Sequence, residues 1–287
     1  MPPSKFHIVH VVPDPRLHGL YGYREVIETL RWGLASLGHE ATTSENEFAS
    51  GSTNIVLGFQ MLPEAQLEAA PPDTVVYNFE QLAGLEAQAL KPAYRVAARR
   101  LRVWDYSEHN LATWAQLQPV HRVAHVPVGW APILARIPRD AGQDIDVLFY
   151  GVPGQRRLAL FNQLCQTGAR CVFACGLYGG SRDSLIARAK LVLNIDLNDS
   201  RRIFEVVRVS YLLANAKAVV AVRQPHTLIE PDLRDAVAFV PADQVAARCL
   251  ALLADEPARR QLEQRGEQAI RAREIGAILS RALDATR

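Results

Sequence analysis

The chain has only four cysteines, Cys165, Cys171, Cys175 and Cys249, with no CxxC pair and no histidines at zinc-finger spacing. That excludes a zinc module and a disulfide framework, and the thiols read as buried, free groups in a reducing cytosol. Long apolar runs are missing too. The longest, Val209–Val222, is broken by Asn215 and Lys217, short of the roughly 20 residues that cross a bilayer. The start, Met1-Pro2-Pro3-Ser4-Lys5, runs straight into a strand-like segment, so no signal peptide is expected; peripheral membrane contact stays open. There is no excess of one charge: 32 Lys and Arg stand against 30 Asp and Glu, for a net +2. A nucleic-acid partner, which calls for a dense basic stripe, is therefore not expected. GxGxxG, Walker A and HExxH are absent, and no DxD-type metal pair or specific Ser–His–Asp arrangement stands out, so neither a metal nor a resident cofactor is expected.

What the chain does have is alternation. Its 287 residues suit two domains of about 140 each. In the first half, Phe6–Val12, Asn54–Phe59, Thr74–Asn78, Arg102–Tyr106 and Arg122–Val126 read as short apolar strands. Between them, Tyr23–Leu37, Pro63–Ala70, Pro92–Arg100 and Leu111–Leu117 have helical spacing, and Gly38 is placed to stop the first helix. The Pro- and charge-rich stretch Pro132–Gln143 reads as a linker, giving domains 1–135 and 136–287.

The pattern restarts with strands at Asp146–Tyr150, Cys171–Cys175, Leu191–Ile195, Ala218–Val222 and Val237–Val240. Helices are expected at Gln155–Thr167, Arg182–Ala189 and Arg201–Ala214, with a helical tail from Ala242. Nearly continuous apolar strands separated by helices predict an α/β fold of two Rossmann-like domains, with ligands bound in the cleft they face.

The polar residues at strand ends are the candidates for chemistry. Asn194 closes one strand, and Arg202 falls in the expected first turn of the next helix. A cation there opposes the helix dipole unless an anion is bound. Glu205 and Arg208 share a face of that helix, so the pair reads either as a local ion pair or as a carboxylate for vicinal hydroxyls beside a phosphate-binding guanidinium. Gly151, Arg156 and Arg157 form a strand-to-helix turn in which a glycine admits close approach and two cations neutralise phosphate. In the first half, Asn78, Glu80, Asp105 and Tyr106 follow strand ends, as contacts for an acceptor or as helix caps, and His18 lies in the loop after the first strand as a candidate acid/base.

Three stretches of the second half, DVLFYGVPGQRR, VLNIDLNDSRRIFEVVRVSYLLANAKAVVAV and AVAFVPADQVAARCLALLADEPARRQLEQRGEQAI, together with LRWGLASLGHEATT in the first, resemble the group 1 glycosyltransferases of the GT-B type. The resemblance implies a metal-independent, retaining transferase of bacterial glycan or glycoconjugate synthesis. The acceptor, a glycan or other hydroxyl compound, would lie on the N-terminal half and the nucleotide-diphosphate sugar on the C-terminal half. Glu205 would be the donor-binding glutamate, and Arg156 or Arg157 with Arg208 the diphosphate ligands. The family's paired glutamates eight apart are not matched: with AKAVV set on the family's GKPVV, position 203 is Ile, position 211 is Tyr and the glycine is Ala216. Two alternatives stay open, a non-catalytic GT-B-like nucleotide or glycan binder and another two-domain Rossmann enzyme of sugar nucleotides.

Overall fold

The computed structural model describes residues 4–14, 16, 22–117, 123–139, 142–197 and 200–285. The chain divides into two compact units, Met1–Gly129 with Arg273–Arg287, and Trp130–Ala272.

The first unit is a six-stranded sheet of β1 (Lys5–His10), β2 (Glu40–Glu45), β3 (Thr53–Leu57), β4 (Val75–Asn78), β5 (Arg102–Asp105) and β6 (Val123–His125), in the order β2-β1-β3-β4-β5-β6. Every pairing is parallel. Ile8, Val9, Ile55, Val56, Val76 and Val103 are all fully buried. Neighbours in a strand point to opposite faces, so burial of both Ile8 and Val9 means helices cover the sheet on both sides. Those described are α1 (Arg24–Ser36), α2 (Glu64–Ala69), α3 (Pro92–Arg100), α4 (Leu111–Trp114) and α10 (Ile275–Ala285). Periodicity does not reveal β2, EATTSE: it is an edge strand with no buried residue and hence no apolar alternation. Gly38 ends α1 as expected, at φ 80°, where its N–H and that of His39 donate to the carbonyls of Ala35 and Leu34.

The last helix corrects the domain boundaries. The unit border falls at Gly129, and 273–287 returns to the first unit rather than the second. Helix α10 packs on α1, burying Ile275, Ile278 and Leu279. The contact is close because Gly33 leaves room for it: a Cβ there would lie 2.7 Å from Leu279 Cδ1 and 2.9 Å from Ile275 Cγ1.

The second unit repeats the plan with β7 (Ile145–Tyr150), β8 (Cys171–Ala174), β9 (Ala189–Asn194), β10 (Ala218–Val222) and β11 (Ala238–Val240), in the order β11-β10-β9-β7-β8. All pairs are again parallel. Its helices are α5 (Gln155–Cys165), α6 (Gly179–Arg188), α7 (Val206–Ala214), α8 (Val245–Ala254) and α9 (Glu256–Arg271).

Two expectations change here. Helix α7 begins at Val206, not Arg201. Residues 202–204 run alongside Leu228 instead, because Phe204 N–H donates to the Leu228 carbonyl and Leu228 N–H to that of Arg202, while Ile203 and Phe204 are both buried. Two consecutive buried side chains suit an extended chain. Arg201 and Arg202 therefore lie outside the helix and set no charge in its first turn. The cysteines are free, but only Cys249 is buried; Cys165 and Cys175 are exposed and Cys171 is intermediate. Among the described residues no helix is long and apolar enough to cross a membrane.

The glycine contact gives a direct test. Gly33→Val drives two methyl groups into Leu279 and Ile275, and overpacking of this kind costs about 2 kcal/mol. Denaturant unfolding should show a lower midpoint with α10 detached from α1, whereas an unchanged midpoint would mean α10 does not pack there.

Candidate functional site

In the second unit the strand order reverses between β7 and β9. From β7 the chain moves by α5 to β8 on one side, and from β9 by α7 to β10 on the other. The two connections diverge and leave a crevice beyond the carboxyl ends of β7 and β9, where open α/β sheets bind ligands. Tyr150 and Gly151 end the first of these strands, and Asn194, Ile195 and Asp196 the second.

Arg208, one turn into α7, reaches back over this crevice. Its Nη1 donates to the Tyr150 carbonyl at 3.1 Å and its Nη2 to Glu205 Oε1 at 2.9 Å. The guanidinium lies over the Tyr150 ring, 5.5 Å from the centroid. It also lies directly above Gly151, where a Cβ would come within 3.2 Å of both terminal nitrogens. Gly151 has φ 146°, so both its backbone angle and the space above it favour glycine.

Arg157 stands behind this pair. It is 4% exposed, with Nε donating to the Ile195 carbonyl at 2.8 Å, Nη1 to the Val152 carbonyl at 2.9 Å, and Nη2 lying 3.9 Å from Glu205 Oε2. It therefore ties the two strand ends together and lends positive potential from beneath. Burial and the nearby Arg208 charge lower its pKa, and an anion sitting close would oppose both by favouring the charged form. Glu205, at the residue before α7, is held between the two guanidinium groups.

Asn194 and Asp196 are 1% and 5% exposed, and among the described residues neither Oδ1 has a hydrogen-bond partner. Burial, then the Glu205 carboxylate, push Asp196 up to about 6, against the pull of Arg156, Arg201 and Arg157. Asp196 is not among the residues that the sequence singles out, because its burial depends on contacts that spacing does not show. Tyr178, in the glycine-containing loop after β8, is another such residue. Burial raises its pKa while the Arg208 charge lowers it, which puts the two near each other.

The structure thus gathers Gly151, Arg157, Asn194, Glu205 and Arg208 at one end of one sheet. Arg156 is half-buried within electrostatic reach of Asp196. Arg202 is exposed, and its backbone is engaged with Leu228. Tyr211, at the place of the family's second glutamate, points to another cluster: its hydroxyl donates to Asp183 Oδ2 at 2.9 Å and accepts from Arg136 Nε at 3.0 Å, with Arg182 stacked on its ring.

In the first unit, Asn78 and Asp105 are fully buried at the ends of β4 and β5. Asp105 accepts four N–H donors, from Asn78 Nδ2 (2.7 Å), Trp114 Nε1 (2.7 Å), Ser107 N (2.9 Å) and Asn110 Nδ2 (2.9 Å). Burial pushes its pKa up to about 6, while those donors favour the ionised form. Tyr106 is 3% exposed and packs near Phe79. These three residues anchor loops. Glu80, partly exposed and hydrogen-bonded from Gln60 Nε2 at 3.2 Å, is the member of the group open to a ligand. His18 lies outside the described residues.

No family model matches the chain. An uncharacterized protein of Acanthamoeba polyphaga mimivirus is 23% identical over 218 residues, 74% of this chain and 69% of that protein. AviGT4, a glycosyltransferase involved in avilamycin A biosynthesis, superposes with a TM-score of 0.59 at 19% identity, over 99% of this chain and 97% of that one. HepE of Anabaena, crystallised in complex with UDP, superposes with a TM-score of 0.61 at 12% identity, over 98% and 100%. The chain therefore has the α/β fold of the GT-B glycosyltransferases that its sequence resembles.

The Asp105 node predicts a stability effect. Asp105→Asn replaces an all-acceptor group with one that turns an NH2 toward N–H donors, at a cost of about 3 kcal/mol. Urea unfolding should register that loss; a change within error would show that the four donors find other partners.

Proposed function

We propose that this protein transfers a sugar from a nucleoside diphosphate sugar to an acceptor hydroxyl, with the donor held by Trp130–Ala272 and the acceptor by the first unit. The observation that carries the reading is the Glu205–Arg208–Arg157 cluster above Gly151, at the strand-order reversal. The fold shared with AviGT4 and HepE supports it, and UDP in the HepE crystals indicates the class of ligand.

The chemistry follows from charge. As the bond between the anomeric carbon and the diphosphate oxygen breaks, the electron pair stays with the diphosphate. Arg208 and Arg156 stabilise that charge, with Arg157 adding potential from below, so guanidinium groups serve where a divalent metal otherwise would. Gly151 lets the phosphates approach the backbone. Glu205, held between its two arginines, accepts hydrogen bonds from vicinal hydroxyls of the donor. The acceptor oxygen forms the new bond to the anomeric carbon. Glu80 is the proposed acceptor contact, and His18 is assigned the acid/base role on sequence grounds. Retention of configuration and a place in glycan or glycoconjugate assembly are proposed from the sequence resemblance.

One observation favours a second reading, a nucleotide binder without turnover. The carboxylate that the family carries at position 211 is a tyrosine engaged with Asp183 and Arg136. Thermal-shift screening with UDP, GDP, CMP and dTDP identifies the base, since a ligand at 100 times its Kd adds about 2.7 kcal/mol to stability. Donor hydrolysis or transfer then separates an enzyme from a binder.

Glu205→Ala should lower kcat/KM for the donor by about 100-fold, from loss of charge-assisted hydrogen bonds of about 2.7 kcal/mol, and should also lower the melting temperature, because Arg157 and Arg208 lose their carboxylate, while near-UV circular dichroism shows the fold retained. Wild-type turnover in that variant would remove Glu205 from the site. Donor affinity should also depend on pH. Asp196 loses its proton on passing upward through about 6, placing a negative charge among Arg156, Arg157 and Arg201. Binding of a nucleotide sugar, whose own phosphates do not titrate there, should therefore weaken as pH rises from 5 to 7.5. Calorimetry should show the trend in the wild type and its absence in Asp196→Asn.

A further inference from the structure

The second unit has another cavity, which shares no residue with the donor site. It opens beside the edge strand β11, with a volume of about 1120 Å³, over a floor that includes the buried side chains of Val237 and Leu262. Four guanidinium groups line it from four separate stretches: Arg223 just beyond β10, Arg234 after the 3-10 turn Pro231–Leu233, Arg248 on α8 and Arg265 on α9. Asp235 is the lining's single acid. Four positive charges and one negative leave +3 in this one groove, more than the +2 of the whole chain.

These arginines differ from others in the same unit. Arg139, Arg170, Arg188 and Arg208 each meet a carboxylate. Among the described residues Arg223, Arg234 and Arg248 have no ion-pair partner, and Arg265 gives its Nε to the Asp235 carbonyl at 3.1 Å, leaving its terminal nitrogens directed elsewhere. Like charges gathered without counterions repel one another, and an anion in the groove converts that repulsion into attraction. The four arginines come from different elements of one packed unit, so the fold fixes the backbone positions that bring them to the groove. Planar guanidinium groups pair with phosphate oxygens two at a time.

We propose that this groove is a binding site for a phosphate-bearing ligand that offers more than one phosphate at once. Two sources supply that chemistry: a soluble oligophosphate, or the headgroups of an anionic lipid surface. The site stands independently of sugar transfer.

The test uses the full chain and two probes. Tripolyphosphate binding is measured by calorimetry, and co-sedimentation is measured with phosphatidylglycerol vesicles against phosphatidylcholine vesicles. The paired substitutions Arg234→Ala with Arg248→Ala, and separately Arg223→Ala with Arg265→Ala, change exposed side chains, so near-UV spectra and melting should stay as in the wild type. Each pair should weaken whichever probe binds by about tenfold or more, as expected for lost charge-assisted contacts. Binding should also fall with added salt. Arg208→Ala should leave that binding in place, and the groove variants should keep UDP binding within about twofold. Tripolyphosphate binding identifies a soluble ligand, and vesicle binding alone identifies a lipid headgroup. Binding of neither probe, or binding lost in Arg208→Ala but kept in both groove pairs, would overturn the proposal.

Discussion

A guanidinium that is 4% exposed must be ringed by acceptors, and Arg157 is: two carbonyls and the Glu205 carboxylate surround it. An unpaired charge at that depth would cost several kcal/mol. Satisfying it constrains three parts of the second unit at once. The turn after β7 must present the Val152 carbonyl, the end of β9 must present that of Ile195, and the residue before α7 must carry an acid. Arg208 repeats the demand from the other side, through Tyr150 and Glu205. The crevice beyond β7 and β9 is thus held open by charge pairing among groups from separate connections, and the groups that hold it are those suited to an anionic ligand.

The first unit solves a comparable problem with opposite polarity. Its buried charge is Asp105, and the partners are N–H donors from Asn78, Ser107, Asn110 and Trp114. There the acid is fully enclosed, and the Asn78 and Asn110 amides that serve it also donate to the Glu80 carbonyl, so the node stiffens loops. In the second unit Asn194 and Asp196 each keep an oxygen without a hydrogen-bond partner among the described residues, and three arginines, Arg156, Arg201 and Arg157, act on Asp196. One polar cluster is thus saturated within the protein, and the other retains acceptor atoms that are not.

Much of the fold was legible because strand burial leaves a strong trace. DVLFY, VVYN and AVVAV are short apolar runs, and each is a buried strand. Where burial is lacking the trace fades, as in β2, whose polar residues lie on an edge. The polar cluster of the second unit was legible as positions, since Gly151, Arg157, Asn194, Glu205 and Arg208 each stand at the end of a strand or near the start of a helix. The start of α7 was not. Local pattern extends it to Arg201, and the pairing of 202–204 with Leu228, a partner far along the chain, makes those residues extended.

The sequence by itself determined the alternation of strands and helices, the type of sheet and the short set of charged residues at strand ends, because these follow from local periodicity and composition. Tertiary structure alone decided that α10 returns to the first unit through the space at Gly33, that Asn78 and Asp105 face each other rather than a ligand, and that four arginines spread from Arg223 to Arg265 line one groove. Those facts depend on which distant side chains meet, and contacts between distant parts of a chain are set by packing and by the need to pair buried charge, neither of which is written in the spacing of neighbours.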